Sequence, residues 1–156
     1  MHKAIRIPLL ALALVVVFAG TALATGAINF TPTLLARGTL NERVHVHSSA
    51  GEFEAKGPLD FVTQTITFGA PGTSGWHSHP GMVLVTVASG TLVRYEADCS
   101  SKAYGPGSAF LESGNHAGLV RNESTTTPAV VYVTFVVPKG TTALRIDKPN
   151  PGCPQN

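Results

Sequence analysis

The sequence predicts an all-β protein, and three observations lead there. Its 156 residues include 16 glycines and 11 prolines, the residues that punctuate short strands and turns. After the first 24 residues, no segment holds apolar residues at i, i+3, i+4 and i+7 for three turns, so no helix is expected. Runs rich in valine, isoleucine, threonine and aromatics recur instead, bounded by Gly or Pro. Short strands separated in this way point to a β-sandwich or a barrel. The length suffices for one domain with a real core.

The chain starts with a targeting segment. Lys3 and Arg6 make its start positive, residues 9–19 are apolar or small without interruption, and Ala22-Leu23-Ala24 offers an Ala-x-Ala cleavage site. That is the layout of a secretory signal peptide over residues 1–24, and it places the protein outside the cytoplasm, secreted or periplasmic. An uncleaved membrane anchor is the alternative, because residues 7–24 approach spanning length; Gly20 and Thr21 weaken that span.

Removing the segment changes the charge balance. The chain has 11 Lys+Arg against 9 Asp+Glu; without Lys3 and Arg6 the signs balance. Lys56, Lys102, Lys139 and Lys148 are scattered singly. No polyanion-binding surface is expected, so nucleic acid is excluded as a partner. Membrane contact would require the first segment to stay uncleaved.

Residues 25–56 are expected to form an extension with strands. Within it, Arg43-Val44-His45-Val46-His47 alternates, with both valines on one face and both histidines on the other. Either the valines face the core and the histidines face solvent, or the strand lines a barrel mouth and supplies a metal ligand. A strand is next expected over 61–68, with Val62, Ile66 and Phe68 on one face. Residues 82–88 (MVLVTVA) are apolar on both faces, as a strand inside a sandwich should be. Ser89-Gly90 is expected to turn this strand into a hairpin with residues 91–96. Gly105-Pro106-Gly107 is a turn before a strand over 108–111. Residues 129–137 form the longest apolar strand and should be central. Residues 143–147 alternate and fit an edge strand, followed by a Pro-rich tail.

The two cysteines, Cys99 and Cys153, suggest one disulfide in an exported protein; two free thiols are the alternative.

The chemistry centres on Trp76-His77-Ser78-His79-Pro80. On a strand, residues i and i+2 share a face, so His77 and His79 can aim both imidazoles at one point. Two converging nitrogens suit a transition metal. Glu112 could act as a general base or as an outer partner of a histidine, but it reads first as a solvated loop residue. Trp76 reads as core or rim packing, with stacking on a ligand as the alternative. No nucleophile–histidine–acid arrangement and no phosphate loop competes.

The stretch GTSGWHSHPGMVLVTVASG, from Gly72 to Gly90, resembles the first motif of the cupin family: glycine, His-x-His, a glutamate and a closing glycine. The His-x-His pair and Gly90 stand in place; Val83 occupies the glutamate position. The second motif is anchored by Gly107 and Asn122, with Ser113, Asn115 and Gly118 at its proline, glycine and histidine positions. His116, two residues before Gly118, shares its strand parity. The resemblance covers about residues 57–138, with 139–156 left as a C-terminal strand and tail. The overall run is similar to small exported bacterial cupin-domain proteins. It implies a double-stranded β-helix, or jelly-roll, barrel. It also implies a metal site formed by His77, His79 and His116, holding one divalent Zn, Cu, Ni or Fe ion. Three functions are compatible with it: metal-assisted chemistry on a small organic molecule, a non-enzymatic ligand- or metal-binding module, and a structural protein that keeps only the fold. The partners these allow are a small molecule and a second copy of the chain.

Overall fold

Twelve strands and no helix make up residues 24–155 of the computed structural model. The signal peptide expected over residues 1–24 lies outside the described residues, except for Ala24. The strands are β1 (Ile28–Leu40), β2 (Val44–Ser48), β3 (Gly51–Ala55), β4 (Leu59–Thr73), β5 (His77–Ser78), β6 (Met82–Ser89), β7 (Leu92–Glu96), β8 (Ser101–Tyr104), β9 (Ala109–Ser113), β10 (Gly118–Asn122), β11 (Ala129–Pro138) and β12 (Ile146–Asp147).

Ten strands form one continuous sheet that folds over into two layers. The first layer runs β1–β4–β11–β6–β9. The second places the end of β4 and then β5 along β10, with β12 beyond β5 and β7–β8 on the other side of β10. β4, at 15 residues, serves both: its first part pairs with β11 and its last residues, Gly72 and Thr73, pair with β10. From β4 to β11 the chain keeps crossing between the layers, which is the winding of a double-stranded β-helix. The result is a nearly closed, all-β barrel.

Alternation fills it. Val62, Ile66 and Phe68 of β4, Val83, Val85 and Val87 of β6, and Val131, Val133, Phe135 and Val137 of β11 all point inward and are buried. Each such side chain contributes roughly 1.5–3 kcal/mol by leaving water. β11 is central as expected, flanked by β4 and β6.

Two expectations are corrected. Strand β6 is not buried on both faces: Met82 and Leu84 are exposed, and β9 and β11 flank it only edge to edge. Burial on both faces is found instead in β10, with Val120 inside the barrel and Leu119 in a second cluster with Trp76, Tyr95 and Cys153. Nor do β6 and β7 form a hairpin. β6 pairs with β11 and β9, while β7 pairs with β10 and β8. The Ser89-Gly90 turn carries the chain from one layer to the other. Gly90 has φ 72°, and a Cβ there would lie 2.6 Å from the Pro128 carbonyl oxygen, so a larger residue would be strained.

Cys99 and Cys153 form a disulfide that holds the C-terminal tail against the second cluster. Trp76 packs there as expected of a core residue, its indole N–H donating to the Gln155 carbonyl at 3.1 Å. Of the edge strand expected over 143–147, only Ile146 and Asp147 pair, with Ser78 and His77. β2 and β3 stand apart as a separate two-stranded sheet.

Candidate metal centre

His77, His79 and Glu112 come together inside the barrel. One ligand atom from each lies within 4.8 Å of the other two. The residues are 7%, 7% and 9% exposed, so the group is largely removed from water.

Each side chain is placed by local sequence logic. Gly75, at φ 66°, turns the chain from β4 into β5. The i, i+2 spacing then aims both imidazoles inward, with ring centroids 4.7 Å apart. β12 covers the outer edge of β5, and the backbone N–H of His79 donates to the Gly114 carbonyl at 2.7 Å, tying the loop after β9 to the histidine pair. Glu112 arrives from the first layer. In β9, Phe110 and Glu112 alternate inward while Leu111 and Ser113 face solvent. Glu112 pairs directly across the strands with Val83. The carboxylate therefore enters the barrel opposite the position where the resembled motif carries its glutamate.

Hydrogen bonds orient both rings. The Nδ1–H of His77 donates to the Gly75 carbonyl at 2.9 Å, and the Nδ1–H of His79 donates to the Leu144 carbonyl at 2.7 Å. A carbonyl only accepts, so Nδ1 carries the proton in each ring and Nε2 is left with a lone pair. Ligating histidines are oriented in this way as a rule. The Nε2 of His79 faces Glu112 Oε2 at 2.9 Å. A lone pair and a carboxylate oxygen cannot approach so closely unless a proton or a cation lies between them. With bonds of about 2.1 Å, two ligands of one metal stand about 3.0–3.4 Å apart. The donor set, with its three ligand atoms within 4.8 Å of one another, therefore suits a transition metal.

The electrostatics agree. Burial holds the His77 imidazole at about 4, well below the ordinary histidine value, so it stays neutral and able to ligate at neutral pH. Burial alone would push the Glu112 carboxyl up. The His79 ring facing it and the Arg94 guanidinium outweigh it and hold the carboxyl below its usual value. Arg94, on β7, brings Nε to 3.6 Å from Glu112 Oε1, so one oxygen faces the arginine and the other faces His79.

A cavity of about 330 Å³ opens beside the three donors. Ile66, Phe68, Val83, Val85, Phe110 and Phe135 supply much of its wall, and among the described residues Arg145 is the one further charged residue lining it.

The structure does not bring His116, the third ligand expected from the sequence, to His77 and His79. His116 is exposed in the turn between β9 and β10, where its Nδ1 lies 2.9 Å from the Ser113 hydroxyl. The inward position is filled by Glu112, because β9 extends to Ser113 rather than ending at Leu111. Those two extra residues turn an expected loop residue into a buried strand residue. The inward direction of Phe110 was the available signal. His45 and His47 do not reach the barrel site either; both are exposed on β2.

No family model matches the sequence, and no curated protein matches it. Among solved structures, the chain is similar to a cupin 2 conserved barrel domain protein from Leptotrichia buccalis, at 17% identity and a TM-score of 0.49. That match covers 69% of this chain and 40% of the other. It is also similar to a cupin superfamily protein from Desulfitobacterium hafniense, at 9% identity and a TM-score of 0.49, over 69% of this chain and 77% of that one. A cupin domain from Bordetella pertussis is similar at 20% identity and a TM-score of 0.47, over 72% and 95% of the two chains.

Proposed function

We propose that this is an exported, cupin-type barrel protein that binds one divalent transition metal through His77, His79 and Glu112. In this reading the adjacent cavity takes a small, mainly apolar organic molecule. The observation that carries the proposal is the buried convergence of two oriented imidazoles and a carboxylate at the polar end of an apolar cavity. Imidazole and carboxylate donors suit Zn²⁺, Cu²⁺, Ni²⁺ and Fe²⁺. When bound, such an ion supplies Lewis acidity toward a donor atom of the molecule or toward water. His77 and His79 bind it as neutral ligands, Glu112 balances its charge, and the Gly75 and Leu144 carbonyls fix the rings. The aliphatic and aromatic wall excludes water and selects apolar bulk. A cavity of about 330 Å³ lies at the small end of ligand pockets.

The Cys99–Cys153 bridge supports an extracytoplasmic location. Mass spectrometry of the mature protein should find an N-terminus near Thr25.

A second reading, binding without turnover, is favoured by the lining itself. Among the described residues, Arg145 is the one charged residue lining the cavity beyond the three donors.

Elemental analysis after dialysis tests the metal. Wild-type protein from its native compartment should retain a tightly held transition metal, and His77→Ala/His79→Ala protein should not. A metal-free wild type, or a double variant that keeps its metal, would overturn the reading.

A further inference from the structure

We infer that Gln64 is the specificity-determining residue of the barrel cavity, selecting a small monocarboxylate whose far end carries a hydroxyl or carbonyl group. This rests on the reading that the cavity takes a small organic molecule beside the metal. Along β4 the inward column is Val62, Gln64, Ile66 and Phe68, so alternation sets one amide among apolar side chains. Val62 and Ile66, on either side of it, are buried, and its cross-strand partner Val133 lines the same cavity. The register places the amide away from the metal donors. Glu112, Val83, Phe135 and Val62 form one inward row across the first layer; Phe110, Val85, Val133 and Gln64 form the next. Gln64 is therefore one row along and three strands from β9, about 14 Å around the curved wall.

The other polar groups of the lining are engaged. Ser74 Oγ donates to the Gly75 carbonyl and accepts from the Val120 N–H, each at 2.9 Å. His77 and His79 donate to carbonyls, Glu112 meets His79 and Arg94, and Arg145 pairs with Asp147 at 2.6 Å. Thr142 is exposed. Gln64 is half-buried and, among the described residues, has no hydrogen-bond partner. An amide both donates and accepts. A molecule that fills the cavity displaces water from it and must replace the bonds that water made. A site of this kind rejects an analogue that lacks the hydrogen-bonding group. Charge defines the other end. Two neutral imidazoles and one carboxylate leave a divalent ion with a single positive charge, and Asp147 offsets Arg145. A carboxylate head balances that charge, and the apolar wall takes the chain between the two ends.

Calorimetric titration with straight-chain acids from butanoate to octanoate, each paired with its ω-hydroxy counterpart, tests this on Zn²⁺-loaded and metal-free mature protein. At the chain length that spans the cavity, wild type should bind the hydroxy acid about tenfold or more tighter than the plain acid. Gln64→Leu and the near-isosteric Gln64→Met should erase or reverse that preference while keeping the affinity for the plain acid. In wild type, the side-chain amide resonances of Gln64 should shift when the hydroxy acid binds, a readout that needs no variant. Protein that takes no Zn²⁺ but still prefers the hydroxy acid would overturn the metal reading and leave this inference standing. Protein that binds both members of every pair alike, loaded or metal-free, would overturn the inference whether or not it takes Zn²⁺. So would variants that keep the preference, or failure of every probe to bind.

Discussion

In the barrel, His77 and His79 meet a carboxylate that arrives from the opposite layer, 33 residues further along the chain. On the hairpin, His45 and His47 meet a carboxylate from the next strand, seven and five residues away. The donor types are the same: a His-x-His pair and a glutamate. What differs is the support around them. The barrel rings are buried and each is fixed by a backbone carbonyl; the hairpin rings are exposed and meet an equally exposed Glu52 side chain. Ligand identity selects the metal, while burial and second hydrogen bonds set how tightly and how exclusively it is held. The barrel brings all three ligand atoms within 4.8 Å of one another and the hairpin trio does not, so the same residue types form a candidate metal centre in one place and an exposed hydrogen-bonded cluster in the other.

The largest expected effect comes from the disulfide. It closes a separation of 54 residues and holds the tail over Trp76, the neighbour of His77. Replacing Cys153 with Ser should cost up to about 4 kcal/mol of stability in the chain-entropy model, measurable by urea unfolding. The barrel's metal affinity should fall with it.

Next is pH. His77 is held at about 4 in the fold against about 6.5 when unfolded. Between those values the unfolded chain binds a proton that the folded protein refuses, so stability falls as pH drops. Metal-free protein should lose about 3 kcal/mol between about pH 6.5 and 4 and little from this source above pH 7. His77→Gln should flatten that slope.

Loss of one barrel imidazole, His77→Ala or His79→Ala, should weaken metal binding there by about 100-fold or more, read by calorimetry. A smaller effect, about tenfold, is expected for Glu112→Val. Because Val83 and Glu112 oppose each other directly, adding Val83→Glu should restore part of the loss by moving the carboxylate across the strand pair. A swap that restores nothing would show that the direction of approach matters as much as the charge.

These contrasts also mark what was legible in the sequence. The all-β class, the central strand 129–137 and the inward pair His77/His79 follow from residue type and period-two alternation, which are local. The layer crossing at Ser89-Gly90 was not legible, because a tight Gly turn serves a hairpin and an inter-layer corner equally well. Glu112 escaped because a strand boundary set two residues short leaves it in a loop. Once β9 is extended through Ser113, the inward Phe110 forces Glu112 inward too. His116 has the right strand parity, but it lies in a turn, where parity does not apply.

The most direct test of the barrel centre is anomalous diffraction at the absorption edge of the metal in crystals of the loaded protein. The account predicts a peak within bonding distance of His77 Nε2, His79 Nε2 and a Glu112 oxygen, with His116 in solvent. A barrel peak ligated by His116 with Glu112 turned away, or loaded protein with no peak at His77 and His79, would contradict it.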